Sequence, residues 1–149
     1  SYANGHPTYY RLSEKTNSSN YPVKFGKAEI VKKGKLATII AIGPMLELAM
    51  MAADGLDVTI LYYTTLTPFD KKTLQENSDS GKILLCEPYY SGALLPEILE
   101  TLSPKPVSIE SIGVPIQMLT NYGIASEHDE SVGFTYKKIR EKLLKLIKQ

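Results

Sequence analysis

The sequence predicts an α/β domain built on a five-stranded mixed sheet with one antiparallel strand. Three observations predict it. Leu36 to Ile42 is an almost unbroken apolar run rich in β-branched residues, as a strand covered on both faces must be. Val58 to Tyr62 repeats that signal. Between them, Met45 to Ala53 places Leu46, Ala49, Met50 and Ala53 on one helical stripe. A strand–helix–strand unit of this length crosses over into a parallel pair, and such sheets present ligand and partner surfaces at the carboxyl ends of their strands.

Taken in order, Thr8 to Leu12 (TYYRL) reads as a short strand, and Ser13 to Tyr21 (SEKTNSSNY) as a polar, aperiodic linker. Residues 1–25 are therefore expected to finish a preceding domain, and residues 26–149 to form the compact unit. Ala28 to Val31 and Leu36 to Ile42 flank Lys32-Lys33-Gly34-Lys35, which reads as an antiparallel hairpin whose Gly34 supplies a positive φ. Pro68 and Asp70 open a second helix over Lys71 to Glu76, with Asp70 as N-cap and Phe69 as a hydrophobic staple. Asn77 to Gly81 ends it. Lys82 to Cys86 is the next strand, and Ser91 to Leu102 a helix with Leu94, Leu95, Ile98, Leu99 and Leu102 on its buried stripe, stopped by Pro104 and Pro106. Val107 to Ile112 alternates as an edge strand does. Gly113 to Gly133 reads as irregular. Thr135 then caps a last helix, Tyr136 to Ile147, with Ile139, Leu143, Leu146 and Ile147 on its apolar stripe.

Composition excludes several function classes. A net charge of +1 gives no general attraction to nucleic acid or to an anionic membrane. The lysines near residues 32–35 and in the last helix read as solvated faces. No segment approaches the ~20 apolar residues of a membrane span, and the opening residues carry no signal-peptide pattern. The one cysteine, Cys86, lies in an apolar run, suiting a small buried hydrophobe in a reducing cytoplasm.

Few residues are candidates for chemistry. Gly43-Pro44 turns the central strand into its helix, where backbone N–H groups make a weak anion site; one glycine and a proline without a donor do not make a dinucleotide fingerprint. Glu87 stands at a strand's carboxyl end, able to cap the next helix or to meet a neighbouring subunit. Tyr89 and Tyr90 after it face opposite ways, one of them toward an interface. In Glu127-His128-Asp129-Glu130, His128 could exchange protons near neutrality, but the spacing does not converge on a metal. No Ser-His-Asp pattern, Walker motif or CxxC is present, and neither a catalytic nor a metal-ligating set emerges. A stand-alone domain taking an anionic small molecule at the Gly43-Pro44 turn and Glu87 is the alternative reading.

The runs GKAEIVKKGKLATIIAIGPMLELAMMAA, LDVTILYYTTLTPFD and GKILLCEPYYSGAL, in this order, resemble the C-terminal domain of transketolase-like thiamine diphosphate enzymes. That family includes transketolase, deoxyxylulose-phosphate synthase and the beta subunits of pyruvate-type dehydrogenases. The resemblance covers Gly26 to Gln149 and implies a three-layer α/β/α sandwich around the five-stranded mixed sheet with its one antiparallel strand. Upstream, Gly5 to Ser13 resembles the final strand of the family's pyrimidine-binding domain. The resemblance implies that thiamine diphosphate and magnesium belong to the two preceding modules of a parent transferase, and that this chain binds no cofactor itself. It implies a non-catalytic module that supports a homodimer and flanks the substrate channel, with the pyrophosphate- and pyrimidine-binding domains as its partners. Arg11 matches the first arginine of the family's phosphate-meeting pattern, and Glu14 stands where a second is usual. Arg11 and His128 are thus the weak substrate-binding candidates, and Gly43, Pro44, Glu87, Tyr89 and Tyr90 the interface or ligand candidates.

Overall fold

The computed structural model describes residues 5, 7, 17–118, 120 and 123–148. Five strands form one sheet: β1 (Glu29–Lys32), β2 (Thr38–Ile42), β3 (Thr59–Tyr63), β4 (Lys82–Tyr90) and β5 (Ser108–Val114), in the order β1-β3-β2-β4-β5. The helices are α1 (Leu46–Ala52), entered through a 3-10 turn at Gly43–Met45, α2 (Lys71–Glu76), α3 (Leu95–Leu102), α4 (Ala125–Ser131) and α5 (Tyr136–Lys148). All pairs are parallel except β1 with β3, so the sheet is mixed with one antiparallel strand, as expected.

The period-2 alternation of strand side chains builds the two outer layers. Ile39 and Ala41 of β2, Ile60 and Tyr62 of β3, and Leu84 and Cys86 of β4 face α1 and α5, meeting Leu46, Ala49, Ile139, Leu143 and Leu146. Ile40, Ile42, Leu61, Tyr63, Ile83 and Leu85 face the other way, onto Leu74 of α2 and Ile98 and Leu102 of α3. The apolar runs are continuous because both faces are covered. Val58 is fully buried just before β3.

Several local expectations need correction. β1 and β2 do not form a hairpin: β1 pairs with β3, Glu29 opposite Tyr62 and Ile30 opposite Leu61. Both edges of β2 are already taken by β3 and β4. The connection between β1 and β2 lies against the start of β3 instead, with Lys35 and Leu36 donating to Asp57 O at 3.0 and 2.9 Å. Gly34 is required there by closeness, not by a positive φ: a Cβ would sit 2.3 Å from Val58 N. Met50 and Leu99 are 38% and 50% exposed rather than on the buried stripes. The 3-10 entry and the turn before α3 shift the phase, so Ala52 and Thr101 are buried instead. β4 runs four residues past Cys86, because its register with β5 shifts between Cys86 and Tyr90 and pairing resumes at Tyr90–Val114. Residues 91–94 form a turn, and α3 begins at Leu95. Within the span expected to be irregular, residues 125–131 are helical, as α4. α4 ends at Gly133, whose φ of +83° is the left-handed conformation that closes helices.

Other local expectations match. Asp70 caps α2, accepting from Thr73 N–H at 3.3 Å and Thr73 hydroxyl at 2.7 Å. Phe69 joins Leu74 in the same apolar cluster and stacks on Tyr63 at 4.6 Å. Thr135 Oγ1 accepts from Lys138 N–H at the start of α5. β5 is an edge strand. The expected strand at Thr8–Leu12 lies outside the described residues, as do Arg11 and Glu14. Among the described residues no helix is long and apolar enough to cross a membrane.

Candidate functional site

The carboxyl ends of β2 and β4 bring Gly43, Pro44, Glu87, Tyr89 and Tyr90 to one edge of the sheet. Gly43 follows β2 with a φ of +50°, so a side chain there would be strained although no atom lies within 4 Å of its ideal Cβ position. Pro44 takes a first position of the 3-10 turn, where its missing N–H is no loss. The first turn of α1 contributes an acid, Glu47.

Glu87 is fully buried inside β4 and hydrogen-bonded throughout. It accepts from Gly92 N–H at 2.5 Å, Leu94 N–H at 2.9 Å and the Ser111 hydroxyl at 3.1 Å. Ser111 and Ser91 hydroxyls lie 2.9 Å apart, and Ser91 N–H donates to Val114 O at 2.9 Å. Gly113 lets this turn close down on β5, since a Cβ there would lie 2.5 Å from Ser91 Cα. The carboxylate thus orders residues 91–94 ahead of α3, the capping role the sequence allowed it. Three donors occupy the oxygens that a catalytic acid would need free.

Its charge acts on its neighbours. Burial, and then the Glu87 carboxylate, push the Cys86 thiol up to about 12, against the weaker pull of Lys142. The same two causes raise the Tyr89 phenol above its ordinary range. Tyr89's hydroxyl is buried with no hydrogen-bond partner, its ring packed among the residues that cover α2 and α3. Tyr90 points out and is 58% exposed. Neither the Tyr89 phenol nor the Cys86 thiol is an available nucleophile at neutral pH.

His128 lies on α4, half-buried and away from this edge's hydrogen-bond network. Its neighbour Glu127 accepts from Ile124 N–H at 3.0 Å and serves the helix start. No three His, Cys, Asp or Glu side chains converge as metal ligands among the described residues. Two open clefts are found among the described residues. One, about 240 Å³, sits at the amino ends of β2 and β3 between Lys33, Lys35 and Asn77; the other, about 430 Å³, runs beside β1 between Lys24, Lys27 and Glu29.

Sequence reasoning missed Ser111, Ser91 and Glu47. Ser111 is a polar position in the alternating strand VSIESI, and the pattern alone does not say which polar positions face a buried acid. It also missed a rim of exposed apolar side chains. Ile116 and Met118, 83% and 88% exposed, follow β5 just past the Tyr90–Val114 pair, and Ile124 at the start of α4 is 68% exposed.

A family model described as transketolase, C-terminal domain, matches residues 26–139. The chain is 32% identical over 129 residues to an "uncharacterized 33.6 kDa protein in fasciation locus" of Rhodococcoides fascians, covering 84% of this chain and 41% of that protein. It is 31% identical over 112 residues to 1-deoxy-D-xylulose-5-phosphate synthase of Pseudoalteromonas translucida, covering 72% of this chain and 18% of the synthase. Among solved structures, a split gene transketolase in an inactive beta4 tetramer superposes with a TM-score of 0.72 at 23% identity, over 83% of this chain and 43% of that one. This chain therefore spans well under half the length of these relatives.

Proposed function

This chain belongs to the transketolase C-terminal domain family, and from that premise we propose that it is the structural and interface module of a two-carbon ketol or acyl transferase, inactive by itself. The observation that carries this reading is the state of the carboxyl edge. Glu47 and Glu87 there are engaged in hydrogen bonds within the chain, while Tyr90 at the end of β4 and Ile116 and Met118 after β5 are exposed. An edge with these carboxylates satisfied internally and apolar side chains bare suits contact with protein more than chemistry. In this reading residues 1–25 finish a pyrimidine-binding module, a pyrophosphate-binding module completes the parent, and two copies of this domain meet in a homodimer. The parent works in the cytoplasm, in keeping with a single buried thiol.

Thiamine diphosphate with magnesium would supply the carbanion chemistry of the parent enzyme. The donor set of this domain does not fit a binding site for it. No ligand cluster converges among the described residues, Pro44 offers no N–H, and Glu47 and Glu87 would repel a diphosphate. The same two carboxylates weigh against a free anionic ligand at this edge, and Arg11 and His128 remain proposals for the parent's substrate. Calorimetry of the purified chain with thiamine diphosphate and Mg²⁺ tests the division of labour. No saturable heat is expected up to about millimolar cofactor, and neither is turnover of a ketose donor with an aldehyde acceptor. Micromolar binding or turnover overturns the proposal.

A further inference from the structure

We propose that α4 is a docking helix for a second copy of this chain, its carboxylates meeting the basic outer ridge of that copy's α5. The inference names a surface for the homodimer proposed above and rests on that reading. α4 is a helix that its own domain does not explain. Its seven residues, ASEHDES, hold three carboxylates, no lysine or arginine, and no apolar residue beyond one alanine. None of residues 126–131 joins either core cluster. Helices this short are marginal in water, and in proteins most helical stability comes from packing a buried face. A helix polar all round is held instead through its charges. Ile124, 68% exposed, leads into it and adds a bare apolar side chain at its start.

The matching charge lies on α5, which carries six cations against one carboxylate, Glu141. Ile139, Leu143 and Leu146 bury its inner stripe, so the exposed Lys137, Lys145 and Lys148 stand on the opposite side. At 1.5 Å per residue that ridge is about 16 Å long, more than enough for a seven-residue helix. Glu141, the acid on the ridge, is already answered by Lys138 at 2.9 Å. Among the described residues the other ion pairs of α5 run to Glu110, and none reaches Glu127 or Glu130. Glu127 accepts only from the Ile124 N–H, at 3.0 Å. An acidic helix and a basic ridge thus stand unmatched within one chain. Across a two-fold axis the contact made by one α4 is returned by the other, so each dimer contains it twice. Complementary charge of this kind sets register and rejects wrong partners.

The experiment is a charge swap in trans, read by sedimentation velocity of the whole 149-residue chain at about 0.1 M salt. One variant, Ser126→Lys with Glu130→Lys, alters α4 at two exposed positions and leaves the Glu127 cap in place. The other, Lys137→Glu with Lys148→Glu, alters only the exposed ridge of α5. Each alone opposes like charges at both contacts and is expected to weaken the dimer at least about tenfold. In an equimolar mixture the heterodimer regains opposite charges at both contacts, and should associate at least about fivefold more tightly than either variant alone. Charges that served only their own chain would give no such rescue. The α5 variant leaves α4 untouched, so its response is independent of whether the first variant keeps that helix. A dimer unaffected by both swaps, or a mixture no tighter than its components, overturns this surface and leaves the homodimer reading standing. A wild-type chain that stays monomeric up to about 100 μM overturns the homodimer reading and this surface with it.

Discussion

Buried with 0% exposure, the Glu87 carboxylate replaces lost water with two backbone N–H groups and a serine hydroxyl. Glu87→Ala leaves those donors unpaired in a closed turn and is expected to destabilise the chain by about 2–4 kcal/mol in urea titration. Glu87→Gln should lose less than half as much, because its amide oxygen still accepts. Asp70, with a side chain only 3% exposed, is the second such carboxylate. Burial alone would raise it, but the Thr73 hydroxyl, the N–H groups of Ala28 and Thr73, and the Lys27 ammonium outweigh burial and hold it below the ordinary carboxylate value. A depressed group stabilises the fold above its unfolded value, about 3.9, and that contribution is lost as pH falls through the lower folded value. The stability gap between wild type and Asp70→Asn should therefore be flat from pH 7 to about 5 and shrink below about 4, as read by denaturation at each pH. Asp70's place as a helix cap was legible from Pro-Phe-Asp ahead of a helix. Its bond to Ala28, 42 residues away, was not, since nothing local records it. Cys86 gives a further check at this scale. With its thiol pushed up to about 12, modification by an aromatic disulfide at pH 8 should be slow in the native chain and accelerate with urea; rapid native labelling would contradict the buried placement.

Elements were legible where a pattern was long enough to fix its phase. The β2 and β3 runs identify themselves because both faces are covered, and α5 because Ile139, Leu143 and Leu146 keep one stripe over 13 residues. α1, at 7 residues, is too short to show its phase, and its 3-10 entry moves Met50 outward. α4 has no apolar stripe and left only Gly133 as a stop signal. Sheet order was illegible for another reason: a short glycine turn means a hairpin only if the next strand has a free edge, and β2 has none. Gly34→Ala tests that geometry, since its methyl would meet the Val58 backbone. It is expected to cost about 2–4 kcal/mol, against a fraction of that for a Gly→Ala change in an open turn. The carboxyl end of α1 is held by two cations from other elements. Lys32 Nζ donates to Ala53 O and Leu56 O at 3.0 and 2.7 Å, and Arg140 to Ala52 O and Asp54 O at 2.7 and 2.8 Å. Cations there complement the helix dipole, so Arg140→Met should cost about 1 kcal/mol, measured by the thermal midpoint.

At the scale of the whole molecule, the α/β class was legible because strands alternating with amphipathic helices admit few architectures, while the three-layer sandwich was foreseen through the family resemblance. The bare rim at the end of β5 was not, since exposed apolar side chains look like core candidates until a fold places them outside. On the proposed homodimer, replacing both Ile116 and Met118 by lysine is expected to shift the chain toward monomer in sedimentation velocity, with its circular dichroism unchanged. An unaltered sedimentation coefficient would remove those side chains from any dimer contact. The antiparallel edge carries a different consequence, one of timing. A ribosome adding about 5–20 residues per second releases β1 roughly two to six seconds before the last residue of its partner strand. In that interval Glu29–Lys32 is a hydrogen-bonding ribbon with nothing to zip to. The irregular step at Val31 and the neighbouring lysines then act as a safety catch, discouraging nascent chains on one messenger from joining edge to edge before β3 arrives.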